Sequence, residues 1–133
     1  MNKKFFNVFA FLMLLVLPGY AQYVAPGSWG WVDGSDTTQK RGVYRTMGVA
    51  NPISDPGGRE GGATWTDSVG NFWVYGGWSY ATSTVIASVV NDLWKYDPVA
   101  GDWTWVRGDT VTNRTGIYGI KGTPDPANQP GAR

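Results

Sequence analysis

Between residues 60 and 107 the apolar positions fall in short runs separated by turn-forming residues. Gly62–Thr66 (Gly-Ala-Thr-Trp-Thr) predicts a first strand after the Pro56-Gly57-Gly58 turn. Asp67–Asn71 then reads as a hairpin loop, with Gly70 at the place where a left-handed residue fits. Phe72–Tyr75 is a continuous apolar run and predicts a second strand suited to burial on both faces, ended by Gly76-Gly77. A looser stretch rich in Ser, Thr and Ala follows over 78–90. Asp92–Tyr96 predicts a third strand, with Leu93 and Lys95 on one face and Asp92, Trp94 and Tyr96 on the other. Asp97–Asp102 supplies a Pro- and Gly-containing turn, and Trp103–Val106 a fourth strand. Aromatic and β-branched residues between glycines point to an all-β chain. Four short antiparallel strands joined by hairpins make a small twisted sheet.

A second pattern lies over the first. Trp29–Arg59 recurs without a gap as Trp103–Arg133, at an offset of 74 residues with twelve of 31 positions identical. The identities include Gly42/Gly116, Tyr44/Tyr118, Gly48/Gly122, Pro56/Pro130 and Arg59/Arg133. The duplicated piece is one strand plus a long connector rich in glycine and proline; the unique piece between the copies holds the sheet. A repeating unit of this size does not bury its apolar faces alone. Trp29–Val32 matches a fourth strand with no earlier strands before it, so it is expected to close a ring by completing a last unit. The recurrence of so many positions also predicts that the connector is ordered, since structureless long loops are otherwise functional or disordered.

These residues resemble the kelch repeat. The resemblance rests on the Gly76-Gly77 doublet after the second strand, on Tyr96 and Trp103 separated by six residues, and on the Asp92–Asp97 and Gly101–Trp105 segments. It covers about residues 56–106. It implies a four-stranded blade of a kelch-type β-propeller, akin to the central domain of galactose oxidase, with partial repeats on either side. The 74-residue period departs from the family's unit of about 50 residues; the surplus lies in the connector. The implied organisation is an export segment at 1–21, a possible ring-closing strand and connector at 22–55, the complete blade at 56–106, and a connector with the start of the next repeat at 107–133. The doublet would allow close backbone approach, and Tyr96 and Trp103 would supply apolar area between blades. The expected partners are other blades of the same propeller, or identical chains assembled into a ring. The first, with this chain as an N-terminal fragment of a longer protein, is the preferred expectation because the sequence stops within a repeat.

Lys3 and Lys4, the uncharged run Phe5–Leu17, Pro18 and the small residues before Gln22 predict a secretory signal peptide cleaved after Ala21. The apolar run is 13 residues, short of the roughly 20 that a membrane span needs. Export to the periplasm or the outside follows, with no membrane attachment after cleavage. Removing Lys3 and Lys4 from the eleven basic residues leaves nine against ten acidic ones, a net charge near −1. That balance gives no electrostatic reason to expect nucleic acid as partner. No disulfide can form, because the chain has no cysteine.

The chain also has no histidine. Ser-His and Cys-His nucleophiles, the usual zinc sites, and the histidines and cross-linked cysteine of a galactose-oxidase copper centre cannot be built from these residues. No catalytic residue, metal ligand or cofactor is expected. Asp92 and Asp97, five apart on a strand, point to opposite faces and read as turn and edge polarity. Asp67 reads as a plain hairpin residue, with an Asp-to-Gly interval one too long for the Asp-box of sialidases. Asn113-Arg114-Thr115 fits a glycosylation acceptor, and Asp125–Asn128 reads as a turn. Trp78 and Tyr80, just past the doublet, are the candidates for stacking on a sugar or protein ligand, against the favoured plainer reading that they pack between blades. The expected function is a non-catalytic protein- or glycan-interaction module. The alternative is the leading part of a larger secreted carbohydrate-active or oxidase-type enzyme, with its catalytic residues elsewhere.

Overall fold

The computed structural model describes residues 26–28, 30–82 and 87–133. The expected export segment therefore lies outside the described residues, as do Trp29 and residues 83–86. The chain is all-β, with five strands in one open antiparallel sheet and no helix among the described residues. The strands are β1 (Arg59–Glu60), β2 (Ala63–Thr66), β3 (Phe72–Ser79), β4 (Ser88–Asp97) and β5 (Asp102–Arg107). β1 and β2 share one edge of β3, β4 takes the other edge, and β5 pairs with β4. The sheet is thus four strands wide, its first strand interrupted at Gly61-Gly62. All four strands expected from the sequence are present, with ends shifted by up to four residues.

Two expectations are corrected. β3 does not end at the glycine doublet. Gly76 and Gly77 have φ of 65° and 96° and form a bulge, after which pairing resumes as Gly77↔Val90, Trp78↔Val89 and Ser79↔Ser88. Part of the looser stretch is therefore strand. The Phe72–Tyr75 run is also not buried on both faces: Val74 is buried on one, whereas Trp73 and Tyr75 on the other are only half-buried. The sheet is open, and an apolar run can leave one face uncovered.

The doublet has the close approach its residue type suggests. A Cβ on Gly76 would lie 2.7 Å from the Arg133 carbonyl oxygen, and one on Gly77 would lie 2.6 Å from that of Glu60. No side chain fits at either place. The Arg133 backbone bridges the bulge: its N–H donates to Val90 O (3.2 Å), and Gly77 N donates to Arg133 O (2.8 Å).

Register fixes the two faces. One carries the cross-strand rows Val74–Trp94–Trp105 and Phe72–Tyr96–Trp103. Trp94 is fully buried, and the Trp103 ring lies 5.1 Å from Tyr96 and 6.2 Å from Phe72. The opposite face carries Trp65, Trp73, Lys95, Tyr75 and Leu93. There Trp65 and Trp73 stack nearly parallel at 5.8 Å. The turns are closed by aspartates, as the sequence suggests. Asp67 accepts from the amides of Val69 and Asn71 and from Trp73 Nε1, and Asp97 accepts from Val99 and Ala100.

The duplicated connectors, 40–59 and 114–133, are ordered and share one backbone. Val43 and Asp55 exchange both backbone hydrogen bonds, and so do their counterparts Ile117 and Gln129. Gly58 N donates to Lys40 O as Ala132 N does to Arg114 O, both at 2.9 Å. Gln39 and Asn113 are both left-handed, with φ of 59° and 60°. The first connector runs along the outer edge of β5, where Gly48 N and Asn51 N donate to the carbonyls of Trp105 (2.8 Å) and Trp103 (3.2 Å). That edge is thereby covered. The second connector meets the sheet at β3 and β4. Gly30–Val32 forms no strand, and Trp31 and Val32, copies of Trp105 and Val106, are exposed.

Candidate functional site

Consecutive residues of a strand point to opposite faces. On β4 this places Asn91 and Asp92 against different connectors, and both are buried, at 2% and 0% exposure. Asp92 faces the first connector. Arg59 donates to both of its carboxylate oxygens at 2.9 Å, from Nη1 to Oδ1 and from Nη2 to Oδ2. Tyr44 Oη donates to Oδ2 at 2.5 Å, and Trp94 Nε1 donates to the same oxygen at 2.6 Å. The planar guanidinium matches the carboxylate fork, which makes a bidentate pair among the stronger hydrogen-bonded arrangements. Arg59 also reaches the carbonyls of Gly76 and Pro56, so it ties β3, β4 and the connector together.

Tyr44 completes the seat. Its ring packs against Trp94 at 4.9 Å and edge-on to Trp105 at 5.3 Å. Burial pushes the Tyr44 hydroxyl well above its ordinary value of 10.0, and the Asp92 carboxylate adds to the rise. The phenol therefore stays protonated and donates. A raised folded value means that the stability from this bond is complete below pH 10 and is lost as pH rises through the higher folded value. This corrects the reading of Asp92 as turn and edge polarity. It is the buried hub of the first connector, and its partners lie 33 and 48 residues away. The detectable signal was the repeat itself, which keeps Tyr44/Tyr118 and Arg59/Arg133 identical while many neighbours differ.

Asn91 faces the second connector. Its Nδ2 donates to Asp109 Oδ2 (3.0 Å) and to Pro130 O (3.2 Å), while its Oδ1 accepts from Asp109 N (3.0 Å). Gln129 Nε2 donates to the same Asp109 oxygen, and Arg114 pairs with Asp109 at 3.6 Å. Tyr75 Oη donates to Gly131 O at 3.3 Å. A recess of about 270 Å³ remains between this connector and the sheet face, walled by Trp65, Tyr75, Leu93 and Pro130.

Trp78 lies at the far end of β3, 48% exposed, in a groove of about 440 Å³ with Glu60, Val89 and Arg133. Tyr80 follows the strand and is half-buried. Gly76 and Gly77 sit at the bulge, and Tyr96 and Trp103 pair across β4 and β5, so the structure brings the doublet and the aromatic pair into one sheet. It does not bring Trp78 and the Asp92 centre together: Trp78 belongs to the groove and Asp92 to the first connector's seat. Asp97 caps its own turn, and Asp125 accepts from Ala127 N at 2.7 Å within another. Asn113 is exposed in a left-handed turn, with its side-chain oxygen 2.6 Å from the Ser88 hydroxyl.

Among the described residues, no three His, Cys, Asp or Glu side chains are grouped so as to hold a metal ion, and no helix is long and apolar enough to cross a membrane. The chain matches no protein-family model, no curated protein and no solved structure.

Proposed function

We propose that this chain is an exported kelch-type propeller unit that holds a binding surface and runs no reaction of its own. The observation that carries this reading is the saturation of Asp92. The fully buried carboxylate is met on both oxygens by Arg59, Tyr44 and Trp94, all of which hold the fold. Oδ2 takes three of these bonds and Oδ1 one, in a carboxylate with no exposed surface for a substrate to reach. The bulged doublet and the Tyr96–Trp103 pair support the kelch assignment, since each holds neighbouring strands together; the long connector is where the chain departs from it.

The ligand surface in this reading is the groove at Trp78. An exposed indole in a groove lined by Glu60, Gly77, Val89 and Arg133 suits a sugar ring or a peptide that stacks and hydrogen-bonds at once. Titration of the intact chain with soluble oligosaccharides and peptides, read by tryptophan fluorescence, tests it. The expected result is saturable quenching in the wild type that Trp78→Ala abolishes, with every ligand recovered unchanged. Turnover of any of those ligands contradicts the non-catalytic reading, and quenching untouched by Trp78→Ala moves the surface elsewhere.

A further inference from the structure

The two connectors have the same backbone but opposite surroundings. In the first, the side bearing Tyr44 and Arg59 is pressed onto a strand that offers a carboxylate and, two residues later, a tryptophan. In the second, the same side faces solvent. Tyr118 is 72% and Ile120 78% exposed. Among the described residues the Arg133 guanidinium reaches Gly131 O (3.3 Å) and Tyr118 Oη (3.4 Å), both long contacts. Phenol and guanidinium are thus already adjacent, as Tyr44 and Arg59 are around Asp92. Ile117, Tyr118, Ile120, Pro124 and Pro130 line a concave surface of about 480 Å³ beside them.

We propose that residues 114–133 form a docking surface for a second sheet of this kind, one whose inner strand presents an uncovered carboxylate followed two residues later by tryptophan. The chemistry selects that partner. A guanidinium fork takes both oxygens of one carboxylate, and the phenol adds a third donor. Gly122 and Asp125 stand where Gly48 and Asn51 stand in the first connector, so their amides are placed to meet carbonyls of the partner's outer strand. Tyr118, within this surface, corresponds to Tyr44, whose ring packs on Trp94 and Trp105. The Asp92 of another copy of this chain is a poor occupant, because its oxygens are already held by its own Tyr44 and Arg59. A sheet lacking its own seated connector is the fitting one. Gln129 and Pro130 border both this surface and the recess at Trp65, so the docked sheet would also reach the open face of the first.

The inference rests on the array reading in taking a like sheet as the partner. The test joins a copy of residues 60–107 directly after Arg133 of the full chain, just as 60–107 follow Arg59. Amide exchange of the added sheet is then followed by mass spectrometry. The expected result is a protected added sheet whose exchange rises about tenfold or more in Arg133→Ala and in Tyr118→Phe, each removing a hydrogen bond to a charged group. Apart from the Gly131 amide, which donates to Tyr118 Oη at 3.3 Å, neither substitution is expected to alter exchange in the unextended chain. Replacing the added copy of Asp92 by alanine should give the same rise and add nothing to Arg133→Ala. A protected added sheet indifferent to Arg133 and Tyr118 overturns the docking surface and leaves the array reading standing. An added sheet that never gains protection overturns both.

Discussion

Residues 40–59 and 114–133 are two copies of one connector, folded alike, yet they differ in what they hold. The first has its tyrosine and arginine on a fully buried aspartate, with the tyrosine ring between two tryptophans. The second has the same two side chains in water, and it is anchored through a different set, Asn91, Asp109, Gln129 and the Arg133 backbone. The backbone shape therefore does not depend on the carboxylate. It is set locally by the paired carbonyls and amides at 43/55 and 117/129 and by the left-handed turns. What the carboxylate adds is attachment of a formed connector to a sheet.

The comparison breaks most sharply at the charged centre. Asp92→Ala leaves Arg59 buried without its partner and should cost about 3–5 kcal/mol in urea unfolding. Tyr44→Phe removes one hydrogen bond to a charged acceptor and should cost about 1.5–3 kcal/mol. The matching changes in the second copy, Arg133→Ala and Tyr118→Phe, touch exposed groups and should stay within about 0.5 kcal/mol. Equal losses in the two copies would show that the second clamp is already engaged.

A smaller effect separates the anchors. Asn91→Ala removes the bonds to Asp109 and Pro130 and should cost about 1–3 kcal/mol. Amide exchange should quicken at Ile117, Gln129 and Arg133, while Val43 and Asp55 keep their protection. Faster exchange at Val43 and Asp55 as well would mean that the connectors do not detach independently.

Most of the sheet was legible because its signals are local. Alternation marks Asp92–Tyr96, turn chemistry marks Asp67–Asn71 and Asp97–Asp102, and β-rich runs mark the rest. The passage of β3 through Gly76-Gly77 was not, because a glycine doublet reads the same whether a strand stops or bulges. The deciding contacts come from Glu60 and Arg133, one of them more than fifty residues away. Asp92 was misread for a related reason. A carboxylate at a strand end is ordinarily turn polarity, and nothing near it in sequence names Arg59 or Tyr44. Trp78 is exposed in a groove and Tyr80 half-buried, a difference that their shared place after the doublet does not signal.

The smallest effect lies outside both connectors and serves as their control. Trp73 Nε1 and then the Asn71 side chain hold the Asp67 carboxyl down, from 3.8 to about 2. A depressed folded value means stability that is present above pH 3.8 and lost as pH falls through about 2. Acidification from pH 4 to 2 should alter Trp73 emission in the wild type, and Asp67→Asn should remove that step without changing the exchange of either connector.

The most direct measurement is a pair of double-mutant cycles in the intact chain, Arg59→Ala with Asp92→Ala and Arg133→Ala with Asp92→Ala. Coupling of about 2–3 kcal/mol in the first and none beyond about 0.5 kcal/mol in the second is predicted, the pattern of one engaged clamp and one open copy. Negligible coupling between Arg59 and Asp92, or comparable coupling between Arg133 and Asp92, would contradict it.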